Sequence, residues 1–121
     1  MKAIQITAFG GPEVMQYTDL PDPVAGGSEI VLDVTAVGIN YADTHQTENS
    51  YLSPQTLPMV PGIEVTGTHA GKRYLASVSS GGYAQKAIAH EAALIPIPDA
   101  VTDQQALCML VQGSTAWHLL K

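Results

Sequence analysis

The sequence predicts a mainly β domain with short helices. Three observations carry this: short apolar runs cut by glycine and proline, a two-residue alternation across residues 29–39, and a change to helical character at Thr102. At 121 residues the chain is one domain, long enough to bury a hydrophobic core.

Taken in order, residues 3–7 form a short β-branched run that Gly10, Gly11 and Pro12 end, and residues 14–19 supply its hairpin partner. Pro21, Pro23, Gly26 and Gly27 make a loop. Residues 29–39 then give the strongest strand, with Ile30, Leu32, Val34 and Ala36 on one face and Val31, Asp33, Thr35 and Val37 on the other. Asn40 caps a short helix over residues 41–47, with Asp43 in its first turn. Three prolines mark residues 51–61 as an ordered loop. Residues 63–68 and 74–78 read as strands around the turn His69-Ala70-Gly71-Lys72, and residues 83–89 as another strand after Gly81-Gly82. The segment 95–99 (IPIPD) is extended, because each proline steers its predecessor away from helix.

From Thr102 the pattern changes. Thr102 and Gln105 form a capping box, Asp103 suits the first turn, and a helix is expected to continue to the end with Gly113 as its one break. Its residues are apolar nearly all round, which calls for burial on every side. A β domain of this size cannot provide that. The expectation is therefore that residues 102–121 lead into something larger, or meet a partner.

Composition excludes several classes. Five Lys and Arg against 11 Asp and Glu give a net charge of −6 with no basic stripe, so phosphate neutralisation by a nucleic-acid binder is disfavoured. No run approaches the ~20 apolar residues of a membrane span, and MKAIQITAFGG lacks the apolar core of a secretory signal. Cys108 is the single cysteine, expected as a buried, inert thiol within QALCMLV; a reducing cytoplasm suits it.

AVGINYADTH (residues 36–45) concentrates polar chemistry. Asp43 and His45 are two apart, on different faces of a helix, whereas a metal pair on one face needs spacing of three or four. His69, His90 and His118 are scattered, so no metal site is expected. Glu64 is a lone carboxylate in an apolar strand, which must be paired, hydrogen-bonded or protonated; a structural role is expected. Ser79 and Ser80 have no histidine beside them in sequence, and the chain holds neither of the glycine-rich phosphate fingerprints.

Together MKAIQITAFGGPEVMQYTDLPDP, VLDVTAVGINYADTHQ, LPMVPGIEVTGT, GGYAQKAIAHEAALIPIPD, VTDQQALCML and QGSTAWHLL resemble, in order and over nearly the whole chain, the N-terminal part of the medium-chain dehydrogenase/reductase superfamily, nearest its zinc-free quinone oxidoreductases. The resemblance implies a GroES-like, partly open β-barrel as catalytic domain over residues 1–101. It implies that residues 102–121 lead toward a nucleotide-binding Rossmann domain absent from this sequence. It further implies NADPH as hydride donor to a quinone or conjugated carbonyl.

Zinc-dependent alcohol dehydrogenases carry Cys where this chain has Asn40, and His where it has Ile63; neither an amide nor an alkyl group replaces those ligands. The resemblance assigns Asn40, Gln112 and Thr115 to the cofactor, and Tyr41, His45 and Tyr51 to the substrate; it names no catalytic residue. His45 stands where relatives often have Tyr. Between VTGT and ASVSSGGY only HAGKRY remains of a longer family segment, which implies a trimmed hairpin. NADPH binding by these residues alone is expected to be weak or absent. Two other readings stand beside this one: a non-enzymatic module that self-associates through its apolar C-terminal helix, and a small hydrolase using Ser79 or Ser80.

Overall fold

The computed structural model describes all 121 residues. Strands β1 (Lys2–Gln5) and β2 (Gln16–Asp19) form an antiparallel hairpin, with a 3₁₀ turn at Pro12–Val14, so the partner strand begins at Gln16 rather than at residue 14. The main sheet has five antiparallel strands: β3 (Glu29–Val37), β4 (Glu64–His69), β5 (Lys72–Ser77), β6 (Lys86–His90) and β7 (Leu94–Pro96), in the order β6-β3-β4-β5-β7. It curls into a partly open barrel. Bridges from Ala3 to Ala84 and from Ile6 to Met59 fasten the hairpin to the rest.

The run 83–89 divides its pairing. Its first residues bond β1, through Ile4 N–H to the Tyr83 carbonyl and Gln85 N–H to the Lys2 carbonyl, while the Gln85 carbonyl already accepts from Val34 N–H and Lys86 onward pairs with β3.

One expected face needs correction. Between Val34 and Ala36 the β3–β4 register shifts, so Thr35 is an extra residue opposite the partner strand. Such a bulge reverses the alternation beyond it. Val37 therefore joins Ile30, Leu32 and Val34 on the core that Val65, Ala76, Val78, Ala87 and Ala89 complete. Ala36 turns instead to a second cluster, Leu75, Ile97, Ala106 and Leu107. Gly67 lies opposite Val34; a Cβ there would come 2.6 Å from the Asp33 carbonyl oxygen, so only glycine lets the strands approach this closely.

The β4–β5 connection is a two-residue turn, Ala70-Gly71, with φ of 49° and 76°. This is the short hairpin that HAGKRY implied. Positive φ at both central positions matches the twist of the flanking strands, but Ala70 adopts it with a side chain.

Helix α1 (Tyr41–Glu48) follows β3 directly, as expected from Asn40. The Thr102 capping box is present: Gln105 N–H donates to Thr102 Oγ1 at 3.1 Å and Thr102 N–H to Gln105 Oε1 at 2.9 Å. It starts α2 (Asp103–Cys108), whose Ala106 and Leu107 seal the second cluster. Arg73 on β5 locks this helix in place, donating to Asp103 Oδ1 at 2.7 Å and to the Val101 carbonyl at 2.8 Å.

Gly113 does not break the helix. Residues Met109–Gly113 form a π-helical turn, in which Ser114 N–H reaches back five residues to the Met109 carbonyl, and α3 (Ser114–Leu119) continues beyond it. A Cβ on Gly113 would lie 3.1 Å from the Cys108 carbonyl oxygen, which suits the turn to glycine.

Burial along this segment stops early. Trp117 is 63% exposed, Leu119 81% and Leu120 87%. Cys108, expected inside, is exposed: only the face carrying Ala106 and Leu107 meets the barrel, and Cys108 lies off that face. No helix is long and apolar enough to cross a membrane.

Candidate functional site

The site is built where β3 hands over to α1. Asn40 is the N-cap, in extended backbone conformation and 9% exposed. Its backbone N–H donates to Asp43 Oδ2 at 3.0 Å, the N3 carboxylate half of a capping box. Its side-chain Nδ2 donates to Glu64 Oε1 at 2.8 Å. The amide is thus pinned inward, against the β4 carboxylate the sequence left without a partner.

Glu64 is 1% exposed, and it fits only because residue 38 is glycine. A Cβ on Gly38 would stand 2.1 Å from Glu64 Oε1. Asn40 is its one donor; Oε2 has none. Asp43 is 4% exposed and takes a second, short hydrogen bond on Oδ2 from the Tyr83 hydroxyl, while its Oδ1 has no partner. Burial, and then the hydrogen bond to Asp43, push the Tyr83 phenol well above its ordinary pKa, so it stays protonated and donates. Sequence reading missed Tyr83. It lies 40 residues from Asp43, and the GGY turn gave no sign of a partner.

Gln46 fastens the other end of α1. At 1% exposure it accepts from Gly62 N–H and donates to the Ser79 carbonyl, both at 3.1 Å.

The remaining candidates are spread more widely. Tyr41 is 80% exposed and His45 half-buried; their rings meet edge to face with centroids 5.0 Å apart. The His45 Nδ1 lies 2.9 Å from Ser50 Oγ, which leaves Nε2 as its free ring nitrogen. Tyr51 helps line a cavity of about 380 Å³ with Pro54, Gln55, Ile63, Ser79 and Ser80. Gln112 in the π turn and Thr115 in α3 are both exposed, and no hydrogen bond joins either to Asn40. The structure therefore gathers Asn40, Asp43, Glu64 and Tyr83 into one polar string, to which Gln112 and Thr115 make no hydrogen bond.

No three His, Cys, Asp or Glu side chains converge. Ser79 and Ser80 have no histidine hydrogen-bonded to them. His90, which borders a cavity of about 520 Å³ with those serines, spends Nδ1 on the Ala92 N–H at 3.0 Å. That geometry offers no activated nucleophile.

Comparison with known proteins agrees with this architecture. Residues 26–72 match the alcohol dehydrogenase GroES-like domain family. The chain is 31% identical to a quinone oxidoreductase of Pseudomonas aeruginosa, with 99% of this chain aligned to 40% of that protein. Among solved structures, the quinone oxidoreductase of Thermus thermophilus, also determined in complex with NADPH, superposes with a TM-score of 0.91 at 38% identity. That match covers 99% of this chain and 40% of the Thermus protein. The Escherichia coli quinone oxidoreductase complexed with NADPH gives 0.90 at 26% identity, over 100% and 40% of the two chains. This chain thus spans about two fifths of the length of the relatives it matches. By sequence and by fold the chain carries a GroES-like domain and is homologous over its whole length to one part of the quinone oxidoreductases, consistent with the medium-chain dehydrogenase/reductase superfamily.

Proposed function

We propose that this chain is the catalytic domain of an NADPH-dependent, zinc-independent reductase of quinones or conjugated carbonyls, working in the cytoplasm. The observation that carries the reading is the Asn40–Glu64 pair. Where a zinc site needs a thiolate, this chain has an amide whose nitrogen is already bonded to a carboxylate 2.8 Å away.

The residues present fit one end of the cofactor. Asn40 stands at the start of α1, and the exposed side chains of Gln112 and Thr115 offer polar groups for a carboxamide. The phosphate end has no seat here. Lys2, Arg73 and Lys86 are held in ion pairs and Lys121 lies over the Trp117 ring, which leaves Lys72 on the β4–β5 turn as the one uncommitted cation. NADPH, when bound, supplies hydride. The task of this domain is to orient and to exclude water, which in such reactions contributes more than an elaborate acid–base set. On this reading Tyr41, His45 and Tyr51 flank the acceptor, and His45 offers Nε2 for a proton.

The test is a fusion of residues 1–121 to the nucleotide-binding part of the Thermus relative. NADPH consumption that depends on added quinone and ignores metal chelators is expected. A folded fusion without turnover, or one that needs zinc, overturns the reading. Titration of NADPH into the 121-residue chain should show weak or no binding, and micromolar affinity would contradict it.

The exposed Trp117, Leu119 and Leu120 favour a second reading, self-association through α3. Its test is solution mass. A monomer at high concentration counts against it.

A further inference from the structure

The polar string at Asn40 is more elaborate than a helix cap requires. Two buried carboxylates flank one asparagine, and each leaves an oxygen without a donor. Buried acceptors in that state are costly, so their retention calls for a reason. Both ends of the string are also seated by glycine. Gly38 vacates the volume that Glu64 fills. Gly62, at φ 103°, does the same for Tyr83: a Cβ there would lie 2.6 Å from the tyrosine ring.

We propose that Tyr83 and Glu64 are positioning residues for Asn40, fixing its backbone and its amide from opposite sides. The proposal rests on the reading that Asn40 faces the nicotinamide. Glu64 receives the amide nitrogen on Oε1, and so turns the Asn40 carbonyl oxygen away from β4. Tyr83 holds the Asp43 carboxylate, whose same oxygen receives the Asn40 backbone N–H. Because that oxygen takes both donors, loss of the tyrosine hydroxyl releases the carboxylate that anchors residue 40. Neither Tyr83 nor Glu64 need touch substrate or cofactor for this.

The test uses the ¹⁵N-labelled 121-residue chain. Tyr83→Phe keeps the ring seated against Gly62 and removes only the hydroxyl. Hydrogen exchange at the Asn40 backbone amide is expected to quicken about tenfold, the equivalent of one hydrogen bond to a charged group. Glu64→Gln, nearly isosteric, should shift the Asn40 side-chain NH₂ resonances while most other signals stay in place. Unchanged Asn40 signals in both folded variants overturn the proposal. In the fused enzyme, Tyr83→Phe should raise KM for NADPH and leave KM for the quinone unmoved. If Asn40→Ala leaves the NADPH KM of the fusion unaltered, the functional reading of Asn40 fails instead, whatever the exchange rates show.

Discussion

Replacing Gly38 by alanine tests how tightly the Asn40 string is built. The added methyl would sit 2.1 Å from Glu64 Oε1, 2.5 Å from Cγ and 2.6 Å from Cδ, all far inside van der Waals contact. Glu64 cannot swing into solvent, being 1% exposed, and Gly38 cannot retreat without stretching its 3.0 Å hydrogen bond to the Glu64 carbonyl. Two costs then combine. Overpacking a filled site costs about 1–3 kcal/mol. If the carboxylate turns to escape the methyl, the buried Asn40 amide loses its acceptor, for about 1–3 kcal/mol more. The sum, about 2–6 kcal/mol, is a large share of the ~5–15 kcal/mol that holds a domain folded. Urea unfolding followed by circular dichroism should show the midpoint fall with little change in slope. The double variant Gly38→Ala/Glu64→Ala isolates the cause, because the methyl then enters the space that the carboxylate leaves, and adding it to Glu64→Ala should cost little. A Gly38→Ala protein within ~0.5 kcal/mol of the parent, the range of an ordinary surface change, would refute the argument.

Other expectations follow from local geometry. Ala70→Asn should stabilise the β4–β5 turn by about 0.5–1 kcal/mol, since asparagine tolerates the φ of 49° that alanine holds under strain; a melting temperature that fails to rise counts against it. Asp103→Asn should cost about 1 kcal/mol at neutral pH by loosening α2 from Arg73, a part-exposed pair whose worth solvent reduces. Arg73 chiefly, with the Thr35 hydroxyl, holds the Asp103 carboxyl below its ordinary value of 3.8. Its contribution is therefore complete above that value and lost as pH falls through the lower folded one. The stability gap between wild type and Asp103→Asn should narrow progressively as pH falls below 3.8, and a gap that does not narrow in acid would refute the assignment. Trp117, the one tryptophan, is 63% exposed and should emit as a solvated indole, open to iodide quenching; a protected, blue-shifted emission in the monomer would contradict the placement of α3.

Features confined to a few neighbouring residues were legible in the sequence. The Thr102–Gln105 box, the helix start at Asn40 and the short turn at Ala70-Gly71 are all decided by contacts within three or four positions. What escaped were features decided across the chain. The bulge at Thr35 depends on the register with β4, so the face assigned to Ala36 was wrong although the strand itself was right. Tyr83 and Asp43 meet only after α1 folds onto the GGY turn. Cys108 was misplaced because an apolar helix predicts burial without saying how much covering surface exists. Glu64 is the intermediate case. Its need for a donor was plain from its surroundings, but that Asn40 supplies it was not.

The π turn at Met109–Gly113 has a consequence for direction. At 3.6 residues per turn, one extra residue taken up in the turn sets every later side chain back by about 100°. In an unbroken α-helix Trp117, seven positions after Leu110, would share the stripe that Leu110 presses against the barrel. The inserted residue takes it off that line. A single helical rod thereby addresses two surfaces in different quadrants, the barrel through α2 and open solvent through α3. The angular offset is set by one residue in the turn rather than by a hinge.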